Sequence, residues 1–355
     1  MTPVTIHEKF PADAGRFIKI LSVSYALYLS TIGASQNMKV AENTKIGLTM
    51  ISPPLLRFHI GAHKTATTYI QELLQTNLDL IQANATVYWP LAETRAVISH
   101  ELASLRASKF ERLKALLLGE KGKAWDSATQ SFEQLLSHDH TTLLSEENIL
   151  GGTSSVLNGR FYPEAAKNFK TLTSDISDRP MEIWLAIRSY PEFISSAYAE
   201  SLRQGYFAPT ETVVKKFAGF EMGWRNLILS LSEVRPDAKF VVWRFENFRA
   251  LEDVLISRLV DLEYSKLQSI GRGLVRPSAS TAAIQAMISQ GPNHRWFQRK
   301  EIMRDLEKQY PENKNIPSEK FSLFNHEDTL WLKDAYERDC QAIEQLDMVD
   351  FVKLA

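Results

Sequence analysis

Between residues 55 and 244, short apolar runs alternate with longer stretches in which apolar side chains return every third or fourth position. The run at 55–60 (LLRFHI) ends in a loop of mostly small residues, Gly61-Ala62-His63-Lys64-Thr65-Ala66. From Thr67 onward Tyr69, Ile70, Leu73 and Leu74 recur at helical spacing, which predicts strand, loop, helix. Residues 86–89 predict a second strand, and 94–118 and 126–137 predict helices split by the glycines of 119–122. A third strand is predicted at 141–144, ending at Ser145-Glu146-Glu147. A fourth, at 182–187 (EIWLAI), leads into Arg188-Ser189-Tyr190 and a helix opening at Pro191, a favoured first-turn residue. The fifth is 239–244 (KFVVWR), and from Thr281 the pattern is almost wholly helical, packed on the sheet or forming a cap.

Strands separated by helices imply right-handed crossovers, so the expected fold class is α/β, with a parallel central sheet flanked by helices. Apolar residues at 44% and charged residues at 23% of 355 can build a sizeable core. The net charge of −1 gives no general attraction for nucleic acid or anionic lipid, so any bound anion must be held by a few placed donors. Cys340 is the only cysteine, which excludes an intrachain disulfide and a cysteine-based metal cluster and suits a reducing, cytoplasmic setting. Residues 17–33 are the one membrane-like stretch, but Lys19, three serines and two tyrosines interrupt it. It falls short of the roughly 20 apolar residues a span needs. It reads as an amphipathic helix or loose extension, with a signal-anchor as the minority alternative. The expected organisation is an N-terminal extension over 1–50, an appendage or a mis-set start, and one domain over 51–355.

The loop after the first strand carries the parts of an anion site. Gly61 permits a tight turn, the small residues admit a phosphate to the backbone, and the next helix offers unpaired amides at its positive end. Lys64 adds a full charge, and Thr65, Thr67 and Thr68 add hydroxyls. The plainer alternative is a turn glycine followed by threonines that cap a helix. A Walker A loop is excluded, because Lys64 stands only three residues after Gly61 and no GK[ST] follows.

HIGAHKTATTYIQ resembles the 5′-phosphosulfate loop of sulfotransferases that use 3′-phosphoadenosine-5′-phosphosulfate (PAPS), and most closely the bacterial HIGxxKTGTT form. Ala66 departs from the family's usual glycine. AIRSYPEFISSAYAE resembles the family's 3′-phosphate element, with Arg188 ending a strand, Ser196 eight positions later and Tyr198 beyond. Pro191 stands three residues after the arginine, where the family commonly has two. VVWRFENF at 241–248 and the helix from Trp224 resemble further family elements, and Arg272-Gly273 with Ser278 and Ser280 loosely matches the loop over the 3′-phosphate. The likeness covers roughly residues 55–290, leaving 291–355 as a helical cap.

The resemblance implies a P-loop-like sulfotransferase fold and transfer of a sulfonate from PAPS to the hydroxyl of a carbohydrate, glycolipid or small metabolite, leaving 3′,5′-ADP, without a metal. It implies that Ala62, His63, Lys64, Thr65, Ala66, Thr67, Thr68, Arg188, Ser196, Arg272 and Gly273 hold the nucleotide, and that Lys64 is catalytic. The base is expected to be Glu146, then His100, then His63, although Glu146 or Glu147 could instead cap the next segment. His138 and His140 read as a solvated loop rather than metal ligands. Two rival readings stay open: a P-loop-type kinase or nucleotidase, and a non-catalytic protein that keeps the fold for binding. Acceptor and oligomeric state are not legible.

Overall fold

In the computed structural model, residues 54–84, 86–96, 98, 140–173, 179–271, 279–311 and 320–354 are described. The sheet strands arise where the apolar runs are. β1 (Leu56–His59) is followed by α1 (Thr67–Thr76), α2 (Leu78–Gln82) and β2 (Thr86–Tyr88). β3 (Thr141–Ser145) runs into a 3-10 turn at Glu147–Ile149, then α3 (Thr153–Val156) and α4 (Ala165–Thr173). β4 (Met181–Ile187) precedes α5 (Tyr190–Arg203), α6 (Thr210–Lys216) and α7 (Gly223–Val234). β5 (Lys239–Arg244) leads to α8 (Phe248–Val260), α9 (Thr281–Gln290), α10 (Trp296–Gln309), α11 (His326–Glu344) and β6 (Val349–Val352).

The strands lie in the order β2-β3-β1-β4-β5-β6, and every neighbouring pair is parallel. The α/β class and the helical C-terminal segment are therefore as the pattern implied. Because side chains alternate across a strand, each face carries its own core. Leu56, Phe58, Leu144, Ile183, Leu185 and Val242 pack with residues of α4, α5, α7 and α11. Leu143, Trp184, Ala186, Val241 and Trp243 pack with residues of α1 and α8 on the other face.

One strand escaped the sequence reading. β6 pairs with β5 from Phe240↔Val349 to Trp243↔Val352. Its four residues, VDFV, are half-buried or exposed and include Asp350, so they make no continuous apolar run. The helices expected at 94–118 and 126–137, the stretch 17–33, and His100, His138, Arg272, Gly273 and Ser278 lie outside the described residues, apart from a helical turn at 91–96. Among the described residues no helix is long and apolar enough to cross a membrane.

The topology fixes where chemistry can sit. From β1 the chain moves out to β2, and after β3 it crosses back over β1 to reach β4. In open parallel sheets, ligands settle at the carboxyl edge beside such a reversal. The loops after β1, β3 and β4 all open there. The amino edge is closed differently. Arg57, nearly buried, bonds Glu182 at 3.0 Å, Asp261 at 2.6 and 3.0 Å, and the Leu259 carbonyl at 3.1 Å.

Candidate functional site

The loop after β1 is shaped by close approach and by two left-handed residues. Ile60 still bonds β4 through the Trp184 carbonyl at 3.1 Å. At Gly61 a Cβ would lie 2.3 Å from Thr67 Oγ1, so only glycine lets the helix start this near the strand. Lys64 and Ala66 both take φ 66°, a conformation that side chains disfavour. Ala66 is the N-cap of α1 and makes no side-chain cap bond, so the first amides of α1 meet no capping side chain. Thr65 and Thr67 are buried and donate their hydroxyls to the Ala62 carbonyl, bracing the loop from inside, whereas Thr68 is exposed.

Arg188 brings the loop after β4 against this one. Its Nη1 donates to the Lys64 carbonyl at 2.8 Å, and its guanidinium lies over the Phe245 ring at 4.9 Å. Trp224 Nε1 donates to the Arg188 carbonyl at 2.8 Å, and Glu246 accepts from Ser189 N at 2.9 Å and from Tyr336 OH at 3.1 Å. The glutamate of the 241–248 segment thus anchors the Arg188 loop. Burial pushes the Arg188 guanidinium pKa down, with nearby Glu246 and Glu192 working against that shift.

Lys64 Nζ lies 3.5 Å from Glu200 Oε2 on α5, and the same oxygen is 3.4 Å from Arg203 Nη1. Arg203 in turn pairs with Glu307 on α10. Burial lowers the Lys64 pKa; Arg203 and Arg188 lower it further, while Glu200 opposes. Ser196, half-buried, stands one turn before Glu200 on α5.

The end of β3 supplies two neighbouring carboxylates with different environments. Glu146 is fully buried, and it caps the 3-10 turn by accepting from Asn148 N at 2.9 Å. Its Oε1 also takes the Asn148 amide, and its Oε2 takes Arg95 Nε at 2.8 Å. Both oxygens of Glu146, the expected first choice of base, thus accept hydrogen bonds, as in the capping role that was its alternative. Glu147 is pushed up to about 7 by burial and by the adjacent Glu146, with Arg95 and Lys64 pulling the other way. It lies 3.7 Å from Arg95 Nη2.

Two histidines complete the rim. His63 contacts the Tyr162 hydroxyl through both its backbone N and Nδ1, each at 3.1 Å, and burial lowers its pKa to about 4. His59, at the end of β1, is fully buried and is lowered to about 4 for the same reason. Its Nδ1 meets Ser145 Oγ at 2.8 Å, and its Nε2 has no partner among the described residues.

The structure therefore gathers Ala62 through Thr68, Arg188, Ser196 and Glu146 at one edge, with His63 among them. His100, Arg272 and Gly273 lie outside the described residues. Glu200 and Tyr162 were not singled out by the sequence, although Glu200 stands four positions after Ser196 and so on the same helix face. Among the described residues no group of three His, Cys, Asp or Glu could hold a metal. Grooves of about 810 and 620 Å³ open beside residues 253–265 and 159–233, the second lined in part by Tyr162, the partner of His63.

No protein-family model matches the chain, and no curated protein matches it. Among solved structures the chain is similar to a sulfotransferase from Alicyclobacillus acidocaldarius, at 12% identity over 69% of this chain and 93% of that one, with a TM-score of 0.33. A likeness this slight carries no argument about chemistry.

Proposed function

We propose that this chain is a sulfotransferase that moves a sulfonate from PAPS to an acceptor hydroxyl on a carbohydrate, glycolipid or small metabolite. One observation carries the reading: the 2.8 Å bond from Arg188 to the Lys64 carbonyl, which joins the loops after β1 and β4 into one rim. Both side chains are cations whose charge is disfavoured by burial, so further negative charge beside them would be favourable. A nucleotide with phosphates at both ends would supply it.

In this reading the free amides at the start of α1, together with Lys64, Thr65, Thr67 and Thr68, hold the 5′-phosphosulfate. Arg188 offers a planar fork of donors to the 3′-phosphate, Ser196 adds a hydroxyl, and Arg272 and Gly273 close over it. The loop fits the group in its glycine-enforced close approach and its uncapped helix start. PAPS supplies an activated sulfur whose S–O bond to phosphate breaks as the acceptor oxygen bonds to it. Lys64 stabilises the negative charge on the departing phosphate oxygen. Glu147, rather than Glu146, takes the acceptor proton, since a carboxylate poised near neutral pH is suited to that work. His100 remains a second candidate for that step.

Thermal shift tests the reading. Saturating 3′,5′-ADP without Mg²⁺ should stabilise the protein by about 2–3 kcal/mol at a hundredfold excess over Kd. ³⁵S-labelled PAPS should then label a product in cell extract. Stabilisation by ATP·Mg²⁺ in place of 3′,5′-ADP would favour the kinase, and a response to neither would favour a binding module.

A further inference from the structure

We propose that the first turn of α10, with the turn after α5, is a docking platform for an acidic polysaccharide. Its consequence for turnover rests on the transfer reading above, but the binding itself does not. Trp296 is 70% exposed, Phe297 51% and Tyr206 39%, in a fold that buries most of its other aromatic rings. Clustered open aromatics mark contact surfaces more often than isolated ones do. The Trp296 and Phe297 rings stand 6.0 Å apart at 88°, so they form a corner with separate stacking faces.

The platform is held rigidly. At Gly205 (φ +83°) a Cβ would lie 2.5 Å from the Trp296 carbonyl, and at Gly291 it would lie 2.6 Å from the Phe207 ring. Arg299 donates to the Gly291 carbonyl at 2.9 Å and lies over Phe207 at 5.2 Å. Such preorganisation lowers the entropic cost of binding.

Charge selects the occupant. Residues 294–300 (HRWFQRK) contain three cations, a histidine and no acid, and Arg295 and Lys300 are exposed. A sugar ring presents a flat C–H face to an aromatic ring, and uronate groups along the chain answer the flanking cations. An anionic bilayer fits less well, because a plane laid along this helix would also meet the exposed Glu301 and Asp305, whereas a single polysaccharide chain can follow residues 294–300 alone. The position suits an acceptor: Glu200, the partner of Lys64, stands in the last turn of α5, and the turn that carries Gly205 follows directly. The Arg203–Glu307 pair ties α5 to α10.

Calorimetric titration of the full chain with polygalacturonate tests the proposal. Binding is expected, weakened at least about tenfold by 300 mM salt, and neutral dextran should bind at least about tenfold more weakly. W296A/F297A and R295Q/K300Q should each weaken polygalacturonate binding about tenfold. Because these side chains are exposed, both variants should keep the wild-type Tm and the wild-type thermal response to 3′,5′-ADP. Undiminished polygalacturonate binding in both variants would overturn the proposal. So would binding to phosphatidylglycerol vesicles instead of the polysaccharide, or a dimer that W296A/F297A disperses while no polysaccharide binds. If polygalacturonate binds but 3′,5′-ADP does not stabilise the protein, the transfer reading falls and the platform stands.

Discussion

The two edges of the sheet bury cations in opposite ways. At the amino edge, Arg57 is surrounded by anions: Asp261 accepts two bonds from it and Glu182 a third, while Thr86 and Trp184 Nε1 occupy further lone pairs of those carboxylates at 2.9 and 3.1 Å. Burial disfavours the Arg57 charge, but those partners override it and its pKa is raised. At the carboxyl edge, Lys64 and Arg188 suffer the same burial, and the acids near them, Glu200 for Lys64 and Glu246 and Glu192 for Arg188, do not override it, so both are lowered. A closed network stabilises the fold; an electrostatically incomplete one leaves room for a ligand's charge.

The largest effect should come from removing the most exposed half of that contrast. Lys64→Ala is expected to cut transfer about 10³-fold, the loss typical of a missing donor at a developing charge. Its urea midpoint should barely move, since the loop carbonyl that Arg188 holds is retained. Initial rates with ³⁵S-labelled PAPS measure the first quantity, and full activity would break the assignment. Arg188→Ala should chiefly weaken 3′,5′-ADP binding.

Arg57→Met should do the reverse. It strands Asp261 and Glu182 in a partly buried site and is expected to cost about 3 kcal/mol, read from urea unfolding. The response to 3′,5′-ADP at a temperature where the variant is folded should match wild type. A variant that loses nucleotide binding while folded would mean the two edges are not independent.

These assignments show how much the sequence disclosed. The run 55–60 and the small loop after it were legible because burial on both faces leaves a mostly apolar block, and because the close start of α1 against β1 demands a glycine at 61. β6 was not, because a half-buried edge strand with Asp350 in it lacks that block. The Glu200–Lys64 pair was not, since it joins elements that only the crossover through β3 and β4 brings together. Which of Glu146 and Glu147 caps the backbone was not legible either, because a single 3-10 turn decides it.

Glu147 gives the next test, through pH. Its folded pKa, about 7, stands above the unfolded value, so its contribution to stability is full in acid and is lost as pH rises through 7. Glu147→Gln, neutral throughout, should therefore gain on wild type between pH 5 and 8, by about 2 kcal/mol at the upper end. Transfer should rise through pH 7 in wild type, and that limb should vanish in Glu147→Gln. His59 and His63 act with the opposite sign: each is held neutral with a pKa near 4, so stability falls as pH drops from 6.5 towards 4. A pH–rate limb that survives Glu147→Gln would move the base to another residue.

The smallest effect compares one left-handed residue at each edge. Ala66, at φ 66°, ψ 15°, begins α1, and Asp261, at φ 54°, ends α8. Left-handed geometry costs a side chain about 1 kcal/mol, a strain that glycine avoids. At Asp261 the side chain repays that cost through Arg57 and Thr86, so Asp261→Gly should destabilise. At Ala66 the methyl only packs against the core of that face, so Ala66→Gly should stabilise, by less than about 1 kcal/mol once glycine's freedom in the unfolded chain is counted. Under the proposed function, the same change widens the loop after β1 and should tighten 3′,5′-ADP. Urea midpoints of the two variants, moving in opposite directions, would confirm that strain at the carboxyl edge is uncompensated. A loss of stability in Ala66→Gly would show that the methyl's packing outweighs its backbone strain.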